Sequence, residues 1–486
     1  MTTLGTSTRI GAHRMRPLVL VLTGLFATAT HPEAAVLPPG LDAPLISPRI
    51  VATSPPRMTP HEPNTVAVTN CDDSGPGSLR DIAENAVDGE TIDLTQLNCS
   101  TISLTAGAIM IGSRDITLQG PGRDRLAIDA SQSPPSAFGN VLFDLGGGWL
   151  VVDGLTISGG RKYINDQHVK GGCIYSNENV KVKNSTIRGC AASSGSNYAA
   201  LGGGVFTAGF LDLDHSIIEG NQTLAYGNGY SSGGGVYALG GIRALYSVVS
   251  GNIAGHLGTT ATFGGGIFAR SYAGIFETAV VDNAAVRAGG MALAAVDTNL
   301  AFVFQSTVSG NHADDVVGGM YARQAFYLYN STIANNDARH TTLHGDVAGV
   351  GVHWNALANM VMTSSIITGN TAQDPDAFDL GGPPSTPPGV SFSGSHNIIT
   401  FTNQPPPADT VWGPALLGPL TDNGGLTPTH ALGQGSVAIN GGTLPNLGVF
   451  PNDQRGEGFL RWVGSAVDAG AFETDPDRIF TTGFNF

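Results

Sequence analysis

Apolar positions recur along this chain on a long fixed period and not on a helical one. Ile174, Val205, Val236 and Ile267 follow one another at steps of 31 residues, and Ile187, Ile218 and Val249 keep the same step. Within each period lie short runs of alternating apolar and polar residues, such as Val180-Lys-Val-Lys and Leu211-Asp-Leu-Asp, as strands with one buried face require. Glycine clusters open the periods at Gly171, Gly202, Gly233 and Gly264. Asn closes them at Asn221, Asn252 and Asn283, and Asn311, Asn336 and Asn370 follow at looser intervals. A period of about 20 to 50 residues predicts a stacked repeat architecture. Short strands without helical periodicity make it an all-β solenoid whose coils stack about 4.8 Å apart. Gly and Asn tolerate the left-handed backbone of sharp corners. The recurring Asn is expected to form a buried corner ladder, a structural role and not a catalytic one.

The ends of the repeat differ from its middle. Ser78-Leu-Arg-Asp-Ile-Ala-Glu-Asn-Ala predicts one short helix, with Ser78 as its cap, Asp81 three residues on, and an apolar face of Leu79, Ile82, Ala83 and Ala86. A solenoid must cover its first coil, and this helix is expected to do so. SGPGSLRDIAENA with DGETIDL, and ITLQGPGRDRLAIDAS from Ile116, resemble the leading segment and first coils of bacterial secreted right-handed parallel β-helix proteins. GPLTDNGGLTPTHALGQGSVAINGG, NDQRG and VDAGAFE resemble the C-terminal, choice-of-anchor type segment of the same proteins. The resemblance covers most of residues 64–473 and implies a single-stranded right-handed parallel β-helix on an exported protein. It implies no particular activity. The expected organisation is a signal peptide at 1–29, a Pro-rich disordered linker at 30–63, an N-terminal cap with the first coils at 64–130, and coils at 131–400. A C-terminal cap or anchor-type segment follows at 401–473, then a tail at 474–486 ending DRIFTTGFNF.

Composition sharpens the location. Arg9, Arg14 and Arg16 precede an apolar Leu18–Thr28 stretch, and Ala27-Thr28-Ala29 offers a small-residue cleavage site, which together predict a secretory signal. Cleavage there removes three Arg and no acid, taking the formal charge from -15 to -18. No later stretch is long and apolar enough to span a bilayer. With 68 glycines in no collagen triplet and only 13% charged residues, the chain is an acidic repeat protein, electrostatically unsuited to nucleic acid or an anionic membrane. It is expected to be secreted or surface-held and monomeric. Four cysteines in an exported chain predict two disulfides. Of three connectivities, Cys71–Cys99 with Cys173–Cys190 is preferred, because the second pair lies within one coil and Cys190 holds the corner position that Asn holds later.

Chemistry is expected where the repeat is broken. The segments between each corner and the next glycine cluster carry Tyr198, Tyr226, Tyr230, His256 and Phe263 in the early coils, a row suited to sugar rings. Later segments carry His312, Asp314 and Asp315, then Asp337, His340, His344 and Asp346, then Asp374, Asp376 and Asp379. Asp314, Asp315, Asp337 and His340 are candidates for acid, base or nucleophile in glycoside chemistry. Asp374, Asp376 and Asp379 are candidates for calcium, the one cofactor suggested. The full motif set of β-helix polygalacturonases is absent, and the Arg and Lys of polysaccharide lyases have no recognisable counterpart. All four lysines, Lys162, Lys170, Lys181 and Lys183, fall in one early coil and with Arg161 and Arg188 suggest a basic patch for an acidic glycan. His430, Asp453, Arg455, Asp468 and Glu473 in the C-terminal motifs are expected to close a cap through Arg–carboxylate pairing. Two functions follow. The first is an adhesin-like or glycan-binding, non-catalytic surface protein whose partner is a polysaccharide or cell-surface glycan. The alternative is a polysaccharide lyase or glycoside hydrolase with its site at the acidic loops.

Overall fold

One coil shows how the alternation folds. Ile174–Ser176 forms a first face, Asn179–Lys183 a second and Thr186–Arg188 a third. The chain then leaves the coil through Ala191–Ser196 and Ala200–Leu201 and re-enters the first face at Val205–Thr207. The computed structural model describes residues 64–136, 139–258, 262–295, 300–339, 347–352, 359–372, 378–382, 391–444 and 450–475. Contacts divide the chain into Met1–Ser47 and Pro48–Phe486, and every described residue lies in the second unit. The segments expected to be signal and linker, and the tail beyond Asp475, fall outside the described residues.

The chain is a parallel β-helix. Among the described residues the first, second and third faces hold 10, 12 and 11 strands, and an outer sheet of 8 strands follows the third face. Pairing is parallel throughout these sheets; the antiparallel pair is the hairpin of Leu417–Thr421 with Thr429–Leu432. Stacking begins earlier than the visible repeat, because Thr65–Ala67 already pairs with Thr91–Asp93, and that strand with Ile116–Gln119. The helix forms at Leu79–Glu84. Ser78 Oγ accepts the Asp81 N–H at 3.2 Å, Asp81 accepts the Gly77 N–H at 3.0 Å, and Leu79 and Ala83 enter the central core. No described helix is long and apolar enough to cross a membrane.

The core is a set of columns. Ile174, Val205, Val236, Ile267, Met291 and Met320 are in register on the first face, and Ile187, Ile218, Val249, Val280, Val308 and Ile333 on the third, all fully buried. On the second face volume is shared along the strand. Leu211 and Leu213 are followed by Ile242 and Ala244, then by Ala273 and Ile275. The interior thus stays filled without overpacking.

Two polar ladders run beside these columns. Asn221, Asn252, Asn283, Asn311, Asn336 and Asn370 are buried, and each Oδ1 accepts the backbone N–H of the residue one coil earlier at 3.0–3.1 Å. Each Asn from Asn221 to Asn336 also donates Nδ2–H to the next Asn in the series at 2.8–3.0 Å. At the corner between second and third faces, Ser185, Ser216, Ser247, Thr278, Ser306, Ser331 and Ser365 form the second ladder. Each hydroxyl accepts an N–H from the preceding coil, and donates within its own corner, as Ser247 Oγ does to the Leu245 carbonyl at 2.8 Å. The residue before each hydroxyl is left-handed without being glycine: Asn184, His215, Tyr246, Glu277, Gln305, Asn330 and Ser364 have φ of 41–51°. Left-handed backbone at a non-glycine residue costs about 1–3 kcal/mol, and the hydroxyl ladder offsets it.

The disulfides are Cys71–Cys99 and Cys173–Cys190, the preferred pairing. Cys190 heads the Asn ladder, its N–H donating to Asn221 Oδ1. The described residues of 414–444 and 450–475 meet the third face. Thr307 Oγ1 donates to Gln454, Ser309 Oγ bonds His430 Nε2 at 2.8 Å, and Thr332 Oγ1 accepts the Ala471 N–H at 3.0 Å. Inside this segment Arg455 pairs with Asp453 at 2.7 Å and lies between the rings of Phe459 and Phe472, 4.2 and 3.8 Å from their centroids. A second buried pair joins Arg461 to Glu473 at 3.4 Å.

Removing one ladder rung strands several buried groups at once. Asn283→Ala is expected to lower unfolding stability by about 3 kcal/mol, since the Asn252 N–H and the Val249 carbonyl lose their partner in the core. Arg188→Ala, at a 57% exposed guanidinium 4.0 Å from Glu219, is expected to change it by less than about 0.5 kcal/mol. Urea denaturation of both variants checks the contrast.

Candidate functional site

In-register stacking carries outward residues into columns as it does inward ones. On the first face Phe143, Tyr175, Phe206, Tyr237 and Phe268 follow one another at a single register position. Their ring centroids are 4.6, 5.6, 5.6 and 4.8 Å apart and the planes are within 16° of parallel. Coil spacing near 4.8 Å lies in the range that aromatic stacking prefers, so the scaffold pre-sets the ladder. Ala292 ends it in the next coil. Ala199 and Leu201 pack over its middle, leaving Phe206 and Tyr237 buried.

Phe143 and Tyr175 wall a cavity of about 440 Å³ with Lys162, Ile164, Gln167, His168 and Lys170, within the size range of small-ligand sites. Lys162 lies on Arg161–Ile164, where Arg161 and Tyr163 face out and Lys162 faces in. Its register partners in succeeding coils are Ala192, Thr223, Ala254, Ala285 and Ala313, all small. One long cationic side chain thus stands in a column of small residues, with Ser136 paired to it in the preceding coil. Lys162 is only 6% exposed, and its Nζ lies 4.7 Å from the Phe143 centroid and 5.2 Å from that of Tyr175. Lys170 Nζ lies 5.0 Å from the Phe206 centroid. Among the described residues no carboxylate pairs with either ammonium within 4.0 Å. Burial, with the Lys170 charge adding to it, pushes Lys162 down to about 8. His168 Nδ1 accepts the Ala199 N–H at 2.9 Å, which leaves the ring proton on Nε2.

The basic patch expected from sequence is therefore divided. Lys181 and Lys183 project from the second face and pair with Asp212 and Asp153 at 3.2 and 3.0 Å. Arg161 and Arg188 line a separate groove with Asp129 and Glu219. Lys162 and Lys170 alone of the six share the aromatic cavity. The repeat alone does not place it: one 31-residue period back from Ala192 lands on Arg161, whereas Lys162 pairs with Ala192 at a spacing of 30.

The aromatic candidates separate too. Tyr198 meets His168 edge-on at 5.7 Å and so borders the cavity. Tyr226 is half-buried on Gln222–Gly227, and Tyr230 is 46% exposed. Phe263 lies elsewhere, 5.9 Å from the Arg287 guanidinium and 6.5 Å from Tyr321. The His256 side chain lies outside the described residues.

Among the acidic candidates, Asp314 and Asp337 are brought together through His312, whose Nε2 and Nδ1 meet them at 3.1 and 2.9 Å. Arg339 adds a contact to Asp314 at 3.7 Å, and Asp315 pairs with Arg287 at 2.6 Å. These carboxylates thus each face a guanidinium or an imidazole. Asp379 is buried, and both its oxygens are engaged: one takes the Asn370 N–H and Nδ2–H at 2.9 and 2.8 Å, the other the Phe401 N–H at 3.1 Å. It terminates the Asn ladder, and burial pushes its carboxyl up to about 6. His340, Asp374 and Asp376 lie outside the described residues. Among those described, no group of three His, Cys, Asp or Glu side chains is arranged to hold a metal ion.

Comparison with protein-family models finds no match for this chain, and no curated protein matches its sequence.

The buried ammonium has a measurable consequence. Between pH 8 and the ordinary lysine value of 10.5 the unfolded chain keeps a proton that the folded chain has released. Stability attributable to Lys162 therefore rises with pH across that window, and below it the buried charge costs at most about 3 kcal/mol. Lys162→Met, which keeps the stem and removes the charge, is expected to raise the urea midpoint at pH 7. The gain should shrink towards pH 10. A midpoint that falls at pH 7 would show that the ammonium is compensated.

Proposed function

We propose that this chain is an exported, extracellular or surface-held β-helix protein that binds glycans without cleaving them, in an adhesin-like role. The observation that carries this reading is the outward aromatic ladder beside a lysine-lined cavity on a rigid scaffold. Apolar ring surface beside a few polar groups is the chemistry that sugar rings need, one face being C–H and the rim hydroxyl. Tyr198 at the cavity rim and exposed Tyr230 support a binding path that continues along the edge of the coils. Tyr226, His256 and Phe263 are further contacts in this proposal.

Export rests on the N-terminal pattern of Arg9, Arg14, Arg16 and Leu18–Thr28, and two disulfides support an oxidising compartment. The division into signal, linker, coils, C-terminal segment and tail belongs to the same proposal, as does a monomeric state. A lyase or hydrolase is the second reading, with Asp314, Asp337 and His312 as the group that favours it. The ring of His312, on the outer sheet, is held between two carboxylates. Calcium through Asp374 and Asp376 would accompany that reading.

Incubating the mature protein with immobilised polysaccharides, while recording both retained protein and new reducing or unsaturated ends, separates the two. Retention without new ends is expected, and Tyr175→Ala should weaken it about tenfold, roughly 1.4 kcal/mol. New chain ends abolished by Asp337→Asn would establish the second reading instead.

A further inference from the structure

The corner between second and third faces holds one side chain that the repeat does not call for. Its left-handed residues include the neutral Asn184, Gln305, Asn330 and Ser364, and also the acid Glu277. Glu277 is only 4% exposed. Gln305, one coil later, donates Nε2–H to Glu277 Oε1 at 3.2 Å. The remaining oxygens of the two side chains, Glu277 Oε2 and Gln305 Oε1, are buried without a hydrogen-bond partner. Both are acceptors and both lack a donor. One proton on Oε2 makes the carboxyl a donor and removes the buried charge. A glutamine at 277 would fill the same space, as Gln305 does in the next coil, so the acid differs from it only in being able to lose that proton.

The C-terminal segment lies over this corner. Thr427 is buried, and its Oγ1 donates to the Glu277 carbonyl at 3.4 Å and accepts Gln454 Nε2–H at 2.9 Å. A Cβ at Gly456 would lie 3.4 Å from the Tyr246 ring, in the coil before Glu277. None of these contacts is charged. Among the described residues no cation pairs with Glu277 within 4.0 Å. In this part of the segment Arg455 is paired with Asp453, and Asp422 and Glu457 are exposed. On the coils His215 stacks on Tyr246 and pairs with Asp214 at 2.6 Å, and Arg123 donates to the His215 carbonyl at 2.8 Å. Burial pushes the Glu277 carboxyl up to about 7, with the Gln305 bond pulling it back.

We propose that Glu277 is a proton-controlled latch for the C-terminal segment. While the carboxyl is protonated, residues 424–427 and 454–456 close over a neutral corner. Once it is ionised, the closed arrangement buries an unpaired charge, and lifting this end of the segment lets water reach it. The closed state then holds a proton that the open state, with the ordinary glutamate value of 4.5, has released between pH 4.5 and 7. Closure is favoured in acid, and it weakens as the pH rises through 7. Two other groups of the segment do not share this role. His430 Nδ1 donates to the Gly418 carbonyl at 2.7 Å, its Nε2 accepts from Ser309 Oγ at 2.8 Å, and burial pushes it down, so the ring stays neutral. Glu473 has a donor on each oxygen, the Val463 N–H at 3.1 Å and the Asp468 N–H at 2.9 Å.

The test is hydrogen–deuterium exchange of the full chain, read by mass spectrometry and corrected for the intrinsic effect of pH on exchange. Protection in peptides covering 423–430 and 452–459 is expected to fall about tenfold or more between pH 5.5 and 8.5. Peptides covering the coil strands Thr186–Arg188 and Ile217–Glu219 should keep theirs. Glu277→Gln should hold the segment protected at pH 8.5 and remove the pH dependence. Circular dichroism checks that the variant is folded, and Glu277→Met, uncharged and of similar length, is the second variant at that position. Segment protection in the unsubstituted chain that does not change with pH overturns the latch without any variant. A loss that persists in a folded Glu277 variant places the titration on another group and overturns it. Equal loss in the coil and segment peptides shows that the whole chain weakens and overturns a local latch.

Discussion

The structure depends on a hydrogen bond that side chains make along the coil axis. In a parallel stack the backbone pairs each coil with the next only where strands run. At the corners the chain turns and its N–H groups would be buried without partners. Asn supplies what is missing there because its amide has an acceptor on one side and donors on the other, so identical residues can be linked head to tail. Each rung satisfies a backbone N–H of the preceding coil and a carbonyl as well. The two ends of the ladder follow from the same logic. At the start, Cys190 needs only its own N–H to donate, and its side chain is free to form a disulfide. At the other end an acceptor with no further donor duty is required, and a carboxylate, Asp379, stands there.

A scaffold fixed in this way determines what its outer surface can carry. Register is set from inside, so outward side chains at one position align whether or not they stabilise anything themselves. The first face uses this to stack five aromatic rings. The second face uses it to alternate charge, with Asp212 held between Lys181 and bidentate Arg243. The third face is lined with Thr307, Ser309 and Thr332, and their hydroxyls receive the C-terminal segment. That segment also meets the coils through an apolar cluster of Ile366 and Ile398 with Ala415, Ala438 and Ala469, and holds itself together by two buried Arg–carboxylate pairs. Glu473 is pushed up to about 7 by burial, with the Arg461 charge pulling it back. Such pairs define a single geometry more than they add stability.

The aromatic cavity shows how an irregularity arises within such regularity. Its rings belong to the repeat and its cations do not. Lys162 stands in a column that is otherwise small, and the irregularity sets a buried ammonium beside aromatic rings. The His312 region is different in kind, because its carboxylates already face an imidazole or guanidinium.

Period and alternation determined the solenoid, its inward columns and the Asn ladder, because a parallel coil repeats the same environment every turn and the sequence must repeat with it. The Ser185-to-Ser365 ladder was present in the same spacing. It was not legible as such, since a hydroxyl beside an apolar strand reads equally well as an exposed turn. Strand stacking from Thr65 onward was hidden for a related reason: the first coils lack the Gly and Asn that punctuate the later ones. What only the tertiary structure decided is which residues of neighbouring coils share a surface. Four lysines in one coil looked like one patch, yet strand alternation and the corners send Lys162 and Lys170 into the aromatic cavity and Lys181 and Lys183 to paired aspartates on another face. Asp379 looked like a solvent-facing metal ligand and is the last rung of the core ladder. Sequence distance fixes the coil a residue belongs to, but the side of the strand and the neighbour above it fix its charge partner and its exposure.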